Sequence, residues 1–166
     1  MRQVLVIVFA GLLAASLAAQ ETTAPENDPA GTDTALSEAP APVLALLNAP
    51  EVSLEDFLWL KRPIVVFADT PADPRFQKQI ALLLERPEEL ILRDVVLITD
   101  TDPKAQSEIR KKLRPRGFML TLVGKDGRVN LRKPAPWDVR EITRAIDKWP
   151  LRKQEILERK AEAAAE

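Results

Sequence analysis

Apolar and polar positions in the middle of the chain fall into two alternating kinds of segment. Pro63-Ile64-Val65-Val66-Phe67-Ala68 is an unbroken apolar run rich in β-branched side chains, which predicts a strand covered on both faces. Asp73-Pro74 then supplies a capping carboxylate and a proline at the first helical position. Phe76, Ile80, Leu83 and Leu84 line one face of the helix that follows, which stops before Pro87. The pattern recurs. Val95-Val96-Leu97-Ile98-Thr99 predicts a second buried strand ending at Asp100, and Asp102-Pro103 repeats the cap-and-proline start of a helix with Ala105, Ile109 and Leu113 on its apolar face. Two parallel strands joined through a helix form a right-handed crossover.

The second half changes rhythm. Phe118-Met119-Leu120-Thr121-Leu122-Val123 predicts a third strand, and Lys125-Asp126-Gly127 a tight reversal into Arg128-Val129-Asn130-Leu131-Arg132. Only Val129 and Leu131 are apolar in that last strand, so it belongs at an edge, where its basic residues discourage further pairing. A third helix is expected from Pro136, with Val139, Ile142, Ile146 and Trp149 inward and Pro150 as its stop. The order β-α-β-α-β-β-α predicts an α/β domain over residues 53–153, a mixed four-stranded sheet flanked by helices.

The two ends read differently. Met1-Arg2-Gln3, the apolar run Val4–Ala15 and the small residues Ser16-Leu17-Ala18-Ala19 have the layout of a signal peptide over residues 1–19, with cleavage after Ala18 or Ala19. The run is shorter than the roughly 20 residues a spanning helix needs, so a periplasmic or secreted bacterial protein is expected, not membrane-spanning once cleaved. Residues 20–52 alternate Pro, Ala and Thr with Glu21, Glu26, Asp28, Asp33 and Glu38, the composition of a disordered acidic tether. Its one apolar island, Val43-Leu44-Ala45-Leu46-Leu47, is expected to dock or form a helical turn. Residues 154–166 read as an Ala/Glu-rich tail that frays. The formal net charge of −1 hides an asymmetry: of 24 Lys and Arg, Arg2 alone precedes Lys61.

Two absences narrow the chemistry further. With no cysteine there is no disulfide, thiol nucleophile or dithiol pair, and with no histidine there is no imidazole base. Against that background the element order is that of a thioredoxin core, and Arg116–Gly127 resembles the thioredoxin stretch that enters the third core strand and turns at a Lys-x-Gly hairpin. Four stretches carry a closer resemblance. They are Trp59-x-x-Arg62-Pro63, Leu92-Arg93-Asp94, Leu122-Val123-Gly124-Lys125-Asp126-Gly127 and Ile146-Asp147-x-x-Pro150-x-Arg152-x-x-Glu155. Together they resemble a thioredoxin-like domain-of-unknown-function family of bacterial exported proteins and vertebrate extracellular-matrix proteins of the sushi-repeat and coiled-coil-domain type. The resemblance implies fold and compartment and no reaction. In redox thioredoxins a Cys-x-x-Cys opens the first core helix beside a cis-proline. Here Thr70-Pro71-Ala72-Asp73 resembles a peroxiredoxin Thr-x-x-Cys with aspartate in the cysteine's place, and Met119 falls at the proline's place. No catalytic residue and no cofactor is assigned.

Three groups remain as candidates. Asp69 and Asp100 end two predicted parallel strands, where open sheets bind ligands, and Asp102 and Asp73 lie close by. Their oxygens suit Mg²⁺ or Ca²⁺, which gives the alternative of a phosphoryl-transfer or hydrolytic enzyme. Arg110, Lys111, Lys112, Arg114 and Arg116, joined by Arg132 and Lys133, form a basic cluster for an envelope protein or an anionic surface; an exported chain makes nucleic acid an unsuitable partner. Trp137 at a helix start is expected to be exposed and available for interaction, whereas Trp59 and Trp149 are expected to pack, with Asp147 pairing to Arg152. The reading that follows is an exported binding or structural protein of the cell envelope without a redox centre, and not an enzyme. A non-catalytic adaptor for redox partners is a further alternative.

Overall fold

A computed structural model describes residues 43–165. The expected leader over residues 1–19 and residues 20–42 of the acidic stretch lie outside them. The described residues hold five strands: β1 (Leu46–Asn48), β2 (Arg62–Phe67), β3 (Val95–Asp100), β4 (Met119–Val123) and β5 (Val129–Lys133). They form one mixed sheet in the order β1-β3-β2-β4-β5. β1, β3 and β2 run parallel, while β4 is antiparallel to β2 and β5 antiparallel to β4. The strand beyond the expected four is β1, cut from the apolar island assigned to the tether. Leu46, Leu47 and Asn48 pair with Leu97, Ile98 and Thr99, covering an edge of β3 that would otherwise stand open. Leu44 and Leu47 contribute to opposite faces of the sheet, as strand alternation requires.

Among the described residues five α-helices accompany the sheet: α1 (Pro74–Leu84), α2 (Pro87–Ile91), α3 (Glu108–Leu113), α4 (Val139–Ile146) and α5 (Pro150–Ala165). α1 starts at the expected Asp73-Pro74, but Leu84 lies half exposed beyond the buried face. Asp102-Pro103 starts only a 3₁₀ turn, Pro103–Ala105, because the backbone turns left-handed at Gln106 (φ 50°). The helix proper is capped by Ser107, whose Oγ accepts the Arg110 N–H at 3.0 Å. Ala105 is therefore solvent-facing. α4 begins at Val139 behind the Asp138 cap, three residues later than expected. α4 ends at Ile146 with Asp147 as its C-cap, short of the expected stop at Pro150, so Trp149 lies beyond it. Pro150 instead opens α5, and the segment expected to fray is helical to Ala165, with Leu157 two-thirds exposed.

The core has two faces. Ile64 and Val66 of β2 join Leu83, Leu90, Phe118, Leu120, Ile142 and Ile146, so α1, α2 and α4 cover one side. Val65 and Phe67 point the other way, to Ile98, Ile109 and Leu113 of β3 and α3. Burying each such side chain contributes about 1.5–3 kcal/mol. Strand order, directions and two-sided helical cover make this a thioredoxin-like α/β fold.

Candidate functional site

The carboxyl ends of β2 and β3 meet the head of α1. Asp73 caps that helix: Oδ1 accepts the Arg75 backbone N–H at 2.8 Å, and the Arg75 guanidinium donates to Oδ2 at 3.0 Å. That guanidinium holds the Asp73 carboxyl below the usual range. Arg75 lies 5.4 Å from the centre of the Phe118 ring, and Met119 opens β4 opposite Phe67. The head of α1 is thus occupied by a capping carboxylate held by arginine.

Next to it, the strand-end aspartates do not share a ligand set. Asp100 is buried, accepting from Arg110 Nε at 2.9 Å and from Ser107 Oγ at 2.6 Å. Arg110 donates further to the carbonyls of Ala68 (2.8 Å) and Asp100 (3.1 Å), with Phe67 beneath its guanidinium. Asp102 spends its carboxylate on the Lys104 N–H, and the exposed Asp69 stands 3.9 Å from Arg110. Among the described residues no group of three or more acidic side chains is placed to hold a metal ion.

The basic cluster loses its first member for the same reason. Arg110 turns inward to neutralise Asp100, and Lys112 pairs with Glu55 across the surface, leaving Lys111, Arg114 and Arg116 exposed. Arg132 is exposed but donates to the Leu113 carbonyl at 2.6 Å. The tryptophans also redistribute. Trp137 is partly buried, its backbone held from both sides by the Gln79 amide (2.8 and 2.9 Å), with Lys133 over its ring at 4.2 Å. Trp149 packs partly against the core as expected. Trp59 is the displayed one, 67% exposed.

At the opposite end of the sheet a second constellation assembles from all four sequence stretches singled out above. Arg62, 1% exposed at the start of β2, donates to the Arg93 carbonyl at 2.8 Å and to Glu155 at 2.7 Å. Lys125, at the β4–β5 turn, bridges Asp94 (2.8 Å) and Glu155 (3.0 Å). Arg93 grips Asp147 with two nitrogens at 2.9 and 2.7 Å, and Arg152 reaches both Glu155 (3.1 Å) and Asp147 (3.5 Å), the pair expected from sequence. Burial works to raise the Glu155 carboxyl, yet hydrogen bonds from Arg62, Lys125 and Arg152 bring it down to about 2. Burial and then Arg93 act likewise on Asp147, which ends below its ordinary value. Four cations face three carboxylates, so the network carries surplus positive charge. Two non-glycine residues adopt left-handed backbone around it, Trp59 (φ 63°) and Asp94 (φ 55°). The Trp59 N–H donates to the Lys125 carbonyl at 2.8 Å, and the Asp94 carbonyl accepts from Arg62 N at 2.7 Å.

Fold and constellation define the class: a thioredoxin-like domain with a capping carboxylate at the head of α1 and an ionic network at the other end of the sheet. The chain belongs to the family described as Domain of unknown function (DUF4174), which matches residues 53–155. No curated protein sequence matches it. Among solved structures it is similar to the reduced 2-Cys peroxiredoxin of Plasmodium vivax, at 17% identity over 58% of this chain and 81% of that one, TM-score 0.49. It is also similar to chloroplastic thioredoxin z (17% identity, 65% of this chain and 95% of that, TM-score 0.49). A third is desulfothioredoxin of Desulfovibrio vulgaris Hildenborough (18% identity, 64% and 99%, TM-score 0.48).

Proposed function

We propose that this chain is an exported thioredoxin-like protein that acts by binding in the cell envelope and not by thiol chemistry. The observation that carries this reading is Asp73. It occupies the head of α1, accepts the Arg75 N–H, and belongs to a sequence without a single cysteine. A carboxylate there is favoured by the helix dipole but cannot accept or pass on electrons. The leader-like residues 1–19 and the acidic, proline-rich stretch after them support export to the periplasm or beyond. The resemblance to matrix proteins of vertebrates fits the same kind of extracellular scaffold. Exposed Lys111, Arg114 and Arg116 suit an anionic surface.

The test is direct. Purified protein is assayed for insulin disulfide reduction with dithiothreitol and for peroxide consumption, and its amino terminus is sequenced from the envelope fraction. Rates equal to buffer and a mature terminus at Ala19 or Gln20 are expected. Turnover above background would overturn the reading.

A further inference from the structure

We propose that the cleft beside the ionic network is a binding site for a small organic anion carried on a ring. A cavity of about 450 Å³ opens there, within the roughly 300–1,000 Å³ typical of small-ligand sites. Arg62, Lys125, Arg128 and Asp126 line it; Arg128 stands 3.8 Å from Asp126, and the surplus positive charge comes from the ionic network behind Arg62 and Lys125. Two of these cations are held in place by the network: Arg62 is fully buried and Lys125 is fixed between Asp94 and Glu155. Lys125, 14% exposed, and the largely exposed Arg128 are the cations a ligand in the cavity can reach.

The ring half of the ligand follows from the tryptophans. Trp59 and Trp149 both line the opening. Trp59 is two-thirds exposed, so burial does not explain its place, and it sits in left-handed backbone that a bulky side chain adopts only at a cost. A strained, displayed indole beside fixed cations is suited to stack a planar or pyranose ring while the cations take its charge. Asn130, at the β5 wall, adds an amide able to donate and accept. Gly124 keeps the wall open: a Cβ there would stand 2.5 Å from the Asp126 carboxylate and 2.8 Å from the Asn130 amide. The cleft lies at the end of the sheet remote from Asp73. The site deepens the binding role proposed above, but it is tested without any redox measurement, so the two stand or fall separately.

The experiment titrates the full chain with D-glucuronate, glucose 6-phosphate and benzoate, followed by tryptophan fluorescence and calorimetry, with glucose and inorganic phosphate alongside. At least one ring anion should saturate with Kd of about 1 mM or tighter. Glucose and free phosphate should bind at least about tenfold more weakly, because each supplies half of the recognised chemistry. Which ring anion wins separates a sugar acid or sugar phosphate from an aromatic acid. Trp59→Gly and Arg128→Ala alter exposed side chains, so both variants should melt no lower than the parent and lose about tenfold in affinity. The proposal fails if no ring anion outcompetes glucose and phosphate up to about 10 mM. It fails equally if both variants bind as the parent does.

Discussion

Replacing Glu155 by glutamine keeps the shape of the side chain and removes its charge, which makes it a sharp probe of the network. Glu155 accepts from Arg62 at 2.7 Å, Lys125 at 3.0 Å and Arg152 at 3.1 Å. Its carboxyl is drawn from an ordinary 4.5 to about 2, and at ~1.4 kcal/mol per tenfold change that corresponds to on the order of 3 kcal/mol. The carboxylate keeps 18% exposure, and screening by that solvent trims the expected loss to about 2–3 kcal/mol at pH 7. For a domain of this size such a loss lowers Tm by roughly 10 °C. The sign follows from linkage. A depressed folded-state carboxyl stabilises above the unfolded value of 4.5, and the benefit disappears as pH falls toward 2. Urea unfolding of parent and Glu155→Gln at pH 7 should therefore differ by about 2–3 kcal/mol, and at pH 3 the gap should narrow markedly. A difference below about 0.5 kcal/mol at pH 7, or one that persists unchanged in acid, would refute the reasoning.

Three other outcomes follow from the geometry. Arg110→Ala strands the buried Asp100 carboxylate and should cost about 3–5 kcal/mol in denaturant titration, most of it recovered when Asp100 is also made leucine. Asp73→Cys places a thiol at the head of α1 beside Arg75; alkylation rates against pH should report a pKa below the ordinary ~8.5 of free cysteine. Trp59→Gly relieves a left-handed backbone at an exposed site and should raise stability by about 0.5–1 kcal/mol in thermal melts, once the entropy cost of glycine is set against the relief.

Legibility of the sequence depended on how local each signal was. β2, β3 and β4 are covered on both faces, so their apolar runs announced them, and Asp73-Pro74 and Lys125-Asp126-Gly127 fixed a helix start and a turn through backbone chemistry of a few residues. Where structure depends on partners far along the chain, the reading fell short. Three residues of β1 become a strand because β3 offers them an edge, and the five residues of α2 are too few for a period to show. Arg110 looked like part of a solvated run because Lys111 and Lys112 follow it; only the approach of β3 reveals Asp100 as its counter-charge. The ionic network shows both sides at once. Each of its members was picked out within one of four separate stretches, yet their convergence at one end of the sheet rests on contacts up to 93 positions apart, which no local pattern encodes. Trp59 was expected to pack, and its exposure follows from a left-handed turn set by the Lys125 carbonyl.

The separation between Arg62 and Glu155 has a consequence for biogenesis. Arg62 and the carboxylate it meets at 2.7 Å lie 93 positions apart, so their pair closes only once α5 has docked. Until then β2 carries its guanidinium into a region that excludes water with Asp94, at 3.8 Å, as its counter-charge, so the sheet gains little from closing without α5. Docking of the first turns of α5 is the clasp that completes the domain. Interactions formed that late weigh on the rate of opening more than on the rate of assembly, so this clasp sets how long a finished molecule stays shut.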